Sequence, residues 1–462
     1  MQIHKFQLDE NRMVLDVNSG AVHLVDELVF DVLDIYDGSN KQAVLDNWGS
    51  KYSSSELESV MQELDELIAA ELLFSPEPEI PDVFNEQPIV KSLCVHIAHD
   101  CNLRCGYCFA STGDFGTSHR ELISKETGEQ AIEFAINGSA NRHNLEIDFF
   151  GGEPLMNWPV NKHLIEYARR REQETGKNIK LTLTTNATLL TDEIVQFLND
   201  NRVMLVISID GRKEVHDKMR PYPGVVGSYD KAIEGFKKVV AMRGDKNYYV
   251  RGTYTRYNLD FAADVLDMAK LGREISVEPV VGTTEDYAIQ ESDLPVLFAE
   301  YDKLARAYLQ AHREDRGFNF FHFNVALDGG PCLNKRLAGC GAGHEYFAVT
   351  PEGDLYPCHQ FVGREEYKLG SLQTGVVKPE LVKSFRNAHI QNKPDCMQCW
   401  AKYHCSGGCH ANAQLINGDI HKPYALGCEL QRKRLECAIL LQAVLGQELQ
   451  EREKMHNFSY QK

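Results

Sequence analysis

Three cysteines at i, i+4 and i+7, Cys101, Cys105 and Cys108 in the run CNLRCGYCF, place three thiolates on one short stretch of chain. Thiolates hold zinc or iron-sulfur clusters, and a closed tetrahedral site needs a fourth ligand. His99 or His96 could supply it for a structural zinc ion. The other possibility is a centre left open at one position, the arrangement by which catalytic metal sites admit a ligand of their own.

A second field lies downstream. CGAGHEYFAVTPEGDLYPC runs from Cys340 to Cys358, CMQCWAKYHCSGGC from Cys396 through Cys399 and Cys405 to Cys409, and Cys428 follows alone. Pro351 and Gly353 signal a tight turn between two short strands, which would bring Cys340 and Cys358 together. Zinc ribbons or iron-sulfur clusters both suit this spacing. Cys332 stands eight residues before Cys340, whereas Cys94 and Cys437 read as packing residues.

Further candidates recur just after β-rich runs. FFGGEP supplies Gly151, Gly152 and Glu153, where glycines permit close backbone approach and the acid suits an ammonium. TTNATLL offers Asn186, ISIDG offers Ser208 and Asp210, and VRGTYTR offers Arg251, which suits a carboxylate or a structural ion pair.

These residues need a scaffold. A chain of 462 residues exceeds one hydrophobic core, since cores stop growing near roughly 250 to 300 residues. KSLCVHIA, LEIDFF, IKLTLTT, VMLVISID, YYVRGTYT and EISVEPVV alternate with helical stretches, so an α/β domain with a parallel sheet is expected over 90–320, its chemistry at the carboxyl ends of the strands. Before it, three short alternating runs and three helical stretches predict a winged-helix-like module over 1–76, with Ser53 and Glu56 placed to cap the third helix. SPEPEIPDVFNEQP, with four prolines, reads as the linker, 77–89. Residues 321–430 hold most of the cysteines, and 431–462 form a closing helix and tail.

Charge and composition narrow the function. The net charge is −18, and the first 80 residues hold four Lys and Arg against 17 Asp and Glu, which disfavours nucleic acid. No apolar run approaches the roughly 20 residues that span a bilayer, and the N-terminus lacks an export pattern. No membrane partner is expected. Thirteen cysteines in a chain read as cytoplasmic point to metal ligation rather than disulfides.

CNLRCGYCF on the first strand-to-helix loop resembles the signature of radical S-adenosylmethionine (SAM) enzymes, over about residues 90–320. The resemblance implies a partial (βα)6 TIM-like barrel in which Cys101, Cys105 and Cys108 hold a [4Fe-4S] cluster whose open iron takes SAM. It further implies cofactor contacts from Tyr107, Gly151, Gly152, Glu153, Asn186, Ser208, Asp210 and Arg251. The later cysteines resemble the SPASM extension of peptide maturases, over about 330–430. That implies two auxiliary [4Fe-4S] clusters, one on Cys340, Cys358 and Cys409, with Cys332 or a substrate thiolate as fourth ligand, the other on Cys396, Cys399, Cys405 and Cys428.

With HKFQLDENRMVLDVNSGAVHLVDELVFDVLDIY, nearly the whole chain resembles the maturases of six-cysteine (SCIFF) peptides. The implied activity is thioether formation, Cys sulfur to carbon, in a ribosomally made Cys-rich precursor after hydrogen abstraction by a 5'-deoxyadenosyl radical. A leader peptide would bind the N-terminal domain, and ferredoxin or flavodoxin would supply electrons. The alternatives are a formylglycine-type sulfatase maturase and a non-enzymatic iron-sulfur or zinc peptide-binding protein.

Overall fold

The computed structural model describes residues 3–80, 87–283, 285–327 and 333–459. Strands β1 (Ile3–Leu8), β2 (Asn11–Asp16) and β3 (Val22–Val25) form an antiparallel sheet in that order, followed by helices α1 (Glu27–Val32), α2 (Lys41–Trp48) and α3 (Ser54–Ala69). At the start of α3 the Glu56 N–H donates to Ser53 Oγ (3.3 Å) and the Ser53 N–H to Glu56 Oε2 (2.8 Å), so two donors that the first turn leaves unpaired are satisfied. Val14, Val32, Tyr36, Val44, Leu57 and Met61 bury the joint between sheet and helices.

The barrel comprises β4 (Ser92–Ala98), α4 (Lys125–Gly138), β5 (Asn144–Gly151), α5 (Trp158–Thr175), β6 (Asn178–Thr185), α6 (Asp192–Asp200), β7 (Val203–Ser208), α7 (Lys213–Met219), α8 (Tyr229–Arg243), β8 (Tyr248–Tyr254), α9 (Phe261–Met268), β9 (Glu274–Pro279) and α10 (Leu294–Arg313). Strands β4 to β9 are parallel neighbours in chain order, which makes a partial (βα)6 barrel. Leu93, Val95, Ile97, Ile147, Leu181 and Leu205 belong to the large core under the helices. By strand alternation Cys94, His96, Asp148, Thr184, Ser208 and Arg251 face the other way, into the lumen. One strand face thus serves folding and the other can serve chemistry.

β10 (Asn319–Phe320) adds to β9, while β11 (Tyr346–Val349), β12 (Asp354–Tyr356), β13 (Gly370–Ser371) and β14 (Gly375–Val376) extend the other edge. β11 pairs parallel with β4, from Tyr346 opposite Ser92 to Val349 opposite Val95. The cysteine-rich module, expected as a separate unit, therefore shares one 11-stranded sheet with the barrel. An open barrel has two edge strands with unpaired backbone groups, and these additions cover both.

The closing helix runs from Ala425 to Ser459, so the boundary expected at 430 falls inside it and Cys428 sits near its start. Part of the expected linker, 81–86, and Cys332 lie outside the described residues. Among the described residues no helix is long and apolar enough to cross a membrane.

Candidate iron-sulfur and cofactor site

The loop after β4 carries the first three cysteines. Cys101 Sγ accepts the Leu103 N–H and Cys108 Sγ the Thr112 N–H, both at 3.4 Å. Burial, Glu153 and the two neighbouring thiols push Cys101 up to about 12, and burial with Cys108 and Asp210 pushes Cys105 up to about 11 against the pull of Arg220. Crowded thiols that resist ionisation alone, on a loop offering N–H donors to sulfur, fit a cluster that brings compensating positive charge and deprotonates its ligands.

The turn after β5 explains its own glycines. A Cβ on Gly151 (φ 122°) would stand 2.3 Å from Ala98 O, and one on Gly152 would stand 2.1 Å from Asp100 O. The N–H groups of Gly152 and Glu153 donate to those two carbonyls at 2.7 and 2.8 Å, so the turn lies flat against the backbone leading into Cys101. The Glu153 carboxylate is buried beside Cys101 and accepts from the Leu155 N–H (3.0 Å), Thr185 Oγ1 (2.8 Å) and the Asn186 N–H (2.8 Å). Burial pushes it up to about 7 despite these donors. An ammonium arriving here shares those oxygens with the protein.

Asn186 joins the cysteine loop through its Nδ2, which donates to Asn102 Oδ1 at 2.9 Å. Ser208 and Arg251 pair in register on adjacent strands and look into the lumen. Arg251 lies 4.0 Å from Glu278, itself 3.4 Å from His322 and 3.9 Å from Arg434, yet its side chain remains 51% exposed. Arg251 thus belongs to an ion-pair group while half of its side chain stays exposed.

Two of the residues implied as cofactor contacts, Asp210 and Tyr107, meet Arg220. Asp210 is 0% exposed; it accepts from the Thr253 N–H (2.9 Å) and from Tyr107 Oη (2.5 Å), and forms an ion pair with Arg220, whose Nε lies 3.0 Å away. The Tyr107 ring lies under the Arg220 guanidinium at 5.3 Å. Arg220, which also faces Cys105, went unnoticed in the sequence because KMRPYPG follows a short helix with no motif around it.

The later cysteines fall into two neighbourhoods. Burial and the nearby Cys409 and Cys340 push the Cys358 thiol up. Burial and then the neighbouring thiols push Cys396 and Cys428 up, and these two line a cavity of about 200 Å³ with Cys399, Cys405, Lys402 and Arg432. Among the described residues no three such side chains stand close enough to hold one metal ion, while the ligands of an iron-sulfur cube sit on different irons.

Residues 95–269 match the radical SAM superfamily, and residues 340–400 match the SPASM iron-sulfur cluster-binding domain. The chain carries a radical SAM domain and a SPASM domain. These domains imply SAM and [4Fe-4S] clusters, auxiliary ones included. The radical SAM match opens in β4 and takes in the cysteine loop, the glycine turn and the lumen as far as Arg251; the SPASM match opens at Cys340. The chain is 21% identical to the radical SAM cyclopropyl synthase TigE of Paramaledivibacter caminithermalis, over 93% of each. It is 23% identical to the cysteine-type anaerobic sulfatase-maturating enzyme of Clostridium novyi, over 70% of this chain and 90% of that one. Streptococcus suis SuiB bound to precursor peptide SuiA shares the fold, with a TM-score of 0.52 at 16% identity over 91% of this chain and 97% of that one.

Proposed function

We propose that this radical SAM protein is a cytoplasmic peptide maturase that joins cysteine sulfur to carbon within a ribosomally made, Cys-rich precursor. The observation that carries the reading is where the first auxiliary thiols stand. Cys358 lies within electrostatic reach of Cys94 on β4 and Tyr346 on β11, and both of these also feel Asp148 on β5. A peptide in the lumen would meet Cys101, Cys105 and Cys108 at the strand ends and Cys340, Cys358 and Cys409 against the wall.

Bound at the first loop, the cluster and SAM supply a 5'-deoxyadenosyl radical that takes a hydrogen atom from a peptide carbon. Cys101, Cys105 and Cys108 hold three irons, Arg251 offers a cation to the cofactor carboxylate, and Ser208 and Asn186 offer hydrogen bonds. Three thiols at the first auxiliary group leave a position for the peptide thiol. The outer strand β3 suits a leader added as a further strand, and the acidic surface suits lysines in it. The precursor-bound SuiB, which shares this fold, supports a peptide substrate. A low-potential donor such as ferredoxin or flavodoxin would provide the electrons.

Incubating the anaerobically purified protein with SAM, a reductant and a Cys-rich precursor tests this by mass spectrometry. Each thioether removes a pair of hydrogens from the peptide. The likeness to the Clostridium novyi enzyme favours formylglycine formation as a second reading, and that product has a different mass change. Cys332→Ala is expected to keep all iron and full cross-linking; loss of auxiliary iron would make Cys332 the fourth ligand instead.

A further inference from the structure

Lys393 is 0% exposed and lies between the two auxiliary cysteine groups. Lysine is almost never fully buried unless paired. Its Nζ donates to the Gly407 carbonyl at 2.9 Å. Gly407 stands in the stretch Cys405-Ser-Gly-Gly-Cys409, which contributes Cys405 to one group and Cys409 to the other. The backbone of the same residue secures a third ligand: the Lys393 carbonyl accepts the Cys396 N–H at 2.9 Å and the Met397 N–H at 3.1 Å, opening the short helix Pro394–Met397.

The charge reaches both groups. Cys396, Cys405 and Cys428 of one group and Cys340 and Cys409 of the other all lie within electrostatic reach of the Lys393 ammonium. Arg432 acts on Cys399 and Cys428 in the second group, and Lys91 acts on Cys340 in the first. Lys393 spans the two. A buried cation interacts strongly with charge nearby, because little solvent screens it. Net charge around an iron-sulfur cluster is one of the levers that set its potential, and a cation stabilises the form carrying the extra electron.

We propose that Lys393 is a shared counter-charge for both auxiliary clusters, a positioning residue that makes each of them easier to reduce. This rests on the reading that both cysteine groups hold [4Fe-4S] clusters. The test is a redox titration of the full-length, anaerobically reconstituted protein, followed by electron paramagnetic resonance, with wild type, Lys393→Gln and Lys393→Arg compared. Gln keeps a donor for Gly407 and removes the charge; Arg keeps the charge. The expected result is that Lys393→Gln moves both auxiliary midpoint potentials to more negative values, Lys393→Arg stays near wild type, and the cluster at Cys101 is unaffected in each. Unmoved auxiliary potentials in an iron-replete Lys393→Gln protein, or equal shifts in the two variants, would overturn the proposal. If Gln loses auxiliary iron and Arg retains it, charge is the cause and the proposal stands; if both lose it, Lys393 only braces the loops and the proposal falls. A wild-type protein that holds iron at the first loop alone would instead defeat the cluster reading.

Discussion

His4 and Trp400 stack with ring centroids 3.9 Å apart and planes 6° from parallel. His4 belongs to β1, and its Nε2 lies 2.9 Å from Glu436 on the closing helix; Trp400 directly follows Cys399. Nearby, Arg306 of α10 holds Asp9 through two 2.8 Å bonds, and Lys402 reaches Glu77 at 3.1 Å. The N-terminal domain is therefore seated on the SPASM domain, the closing helix and α10, and Glu77 at the start of the linker adds a further tie to Lys402.

His4→Ala removes the stack and the contact with Glu436. Aromatic pairs contribute about 1 kcal/mol beyond their buried area, so the seat should weaken by roughly that much. The expected readout is faster hydrogen exchange in β1 and easier proteolysis within residues 77–89, with barrel exchange unchanged. Identical exchange in β1 would mean that the remaining ion pairs suffice.

Gly152→Ala places a methyl group 2.1 Å from Asp100 O, on backbone that cannot yield without moving the cysteine loop. Overpacking of this kind costs typically 1 to 3 kcal/mol, or about 2 here. The protein should lose the iron held at Cys101, Cys105 and Cys108 and with it cleavage of SAM, while keeping auxiliary iron. Iron and sulfide counting with paramagnetic resonance checks this, and full first-loop iron would refute it.

Asp148 gives a pH signature. Burial, opposed by Arg251 and by a hydrogen bond with Thr184, pushes its carboxyl up to about 7, and Glu146 pushes the same way. An acid raised above its unfolded value of 3.8 keeps its proton in the folded state after the unfolded chain has lost it. Its contribution to stability is thus complete below about pH 4 and declines as the pH rises to about 7. Asp148→Asn should flatten that decline in denaturant unfolding, leaving the part due to Glu153; an unchanged slope would place the titration elsewhere.

All six β-rich runs of the barrel were legible, because each is a compact apolar or alternating run bounded by helical stretches, and the structure sets them side by side from β4 to β9. The division of the later cysteines into two groups came from the resemblance to the SPASM extension, since spacing alone suits zinc ribbons as well. Side-chain direction was not legible. Asp210 and Tyr107 sit at the expected strand end and loop, yet both turn inward onto Arg220, a residue that local sequence does not flag. Nor could spacing foretell that β11 would pair with β4, since that contact joins residues about 250 positions apart and answers to the open edge of the barrel rather than to any local pattern.

That pairing fixes a gauge. β4 leads into the first cysteine loop, and β11 and β12 frame the turn that precedes Cys358, so the span between them is set by one continuous ladder of backbone hydrogen bonds. The SPASM domain cannot swing out to suit a longer loop or inward to suit a shorter one without unzipping the sheet. On the proposed chemistry, a peptide that offered carbon at one end of this span and sulfur at the other would itself have to bend to measure, and the ring sizes it acquired would be an imprint of the protein's own strand spacing.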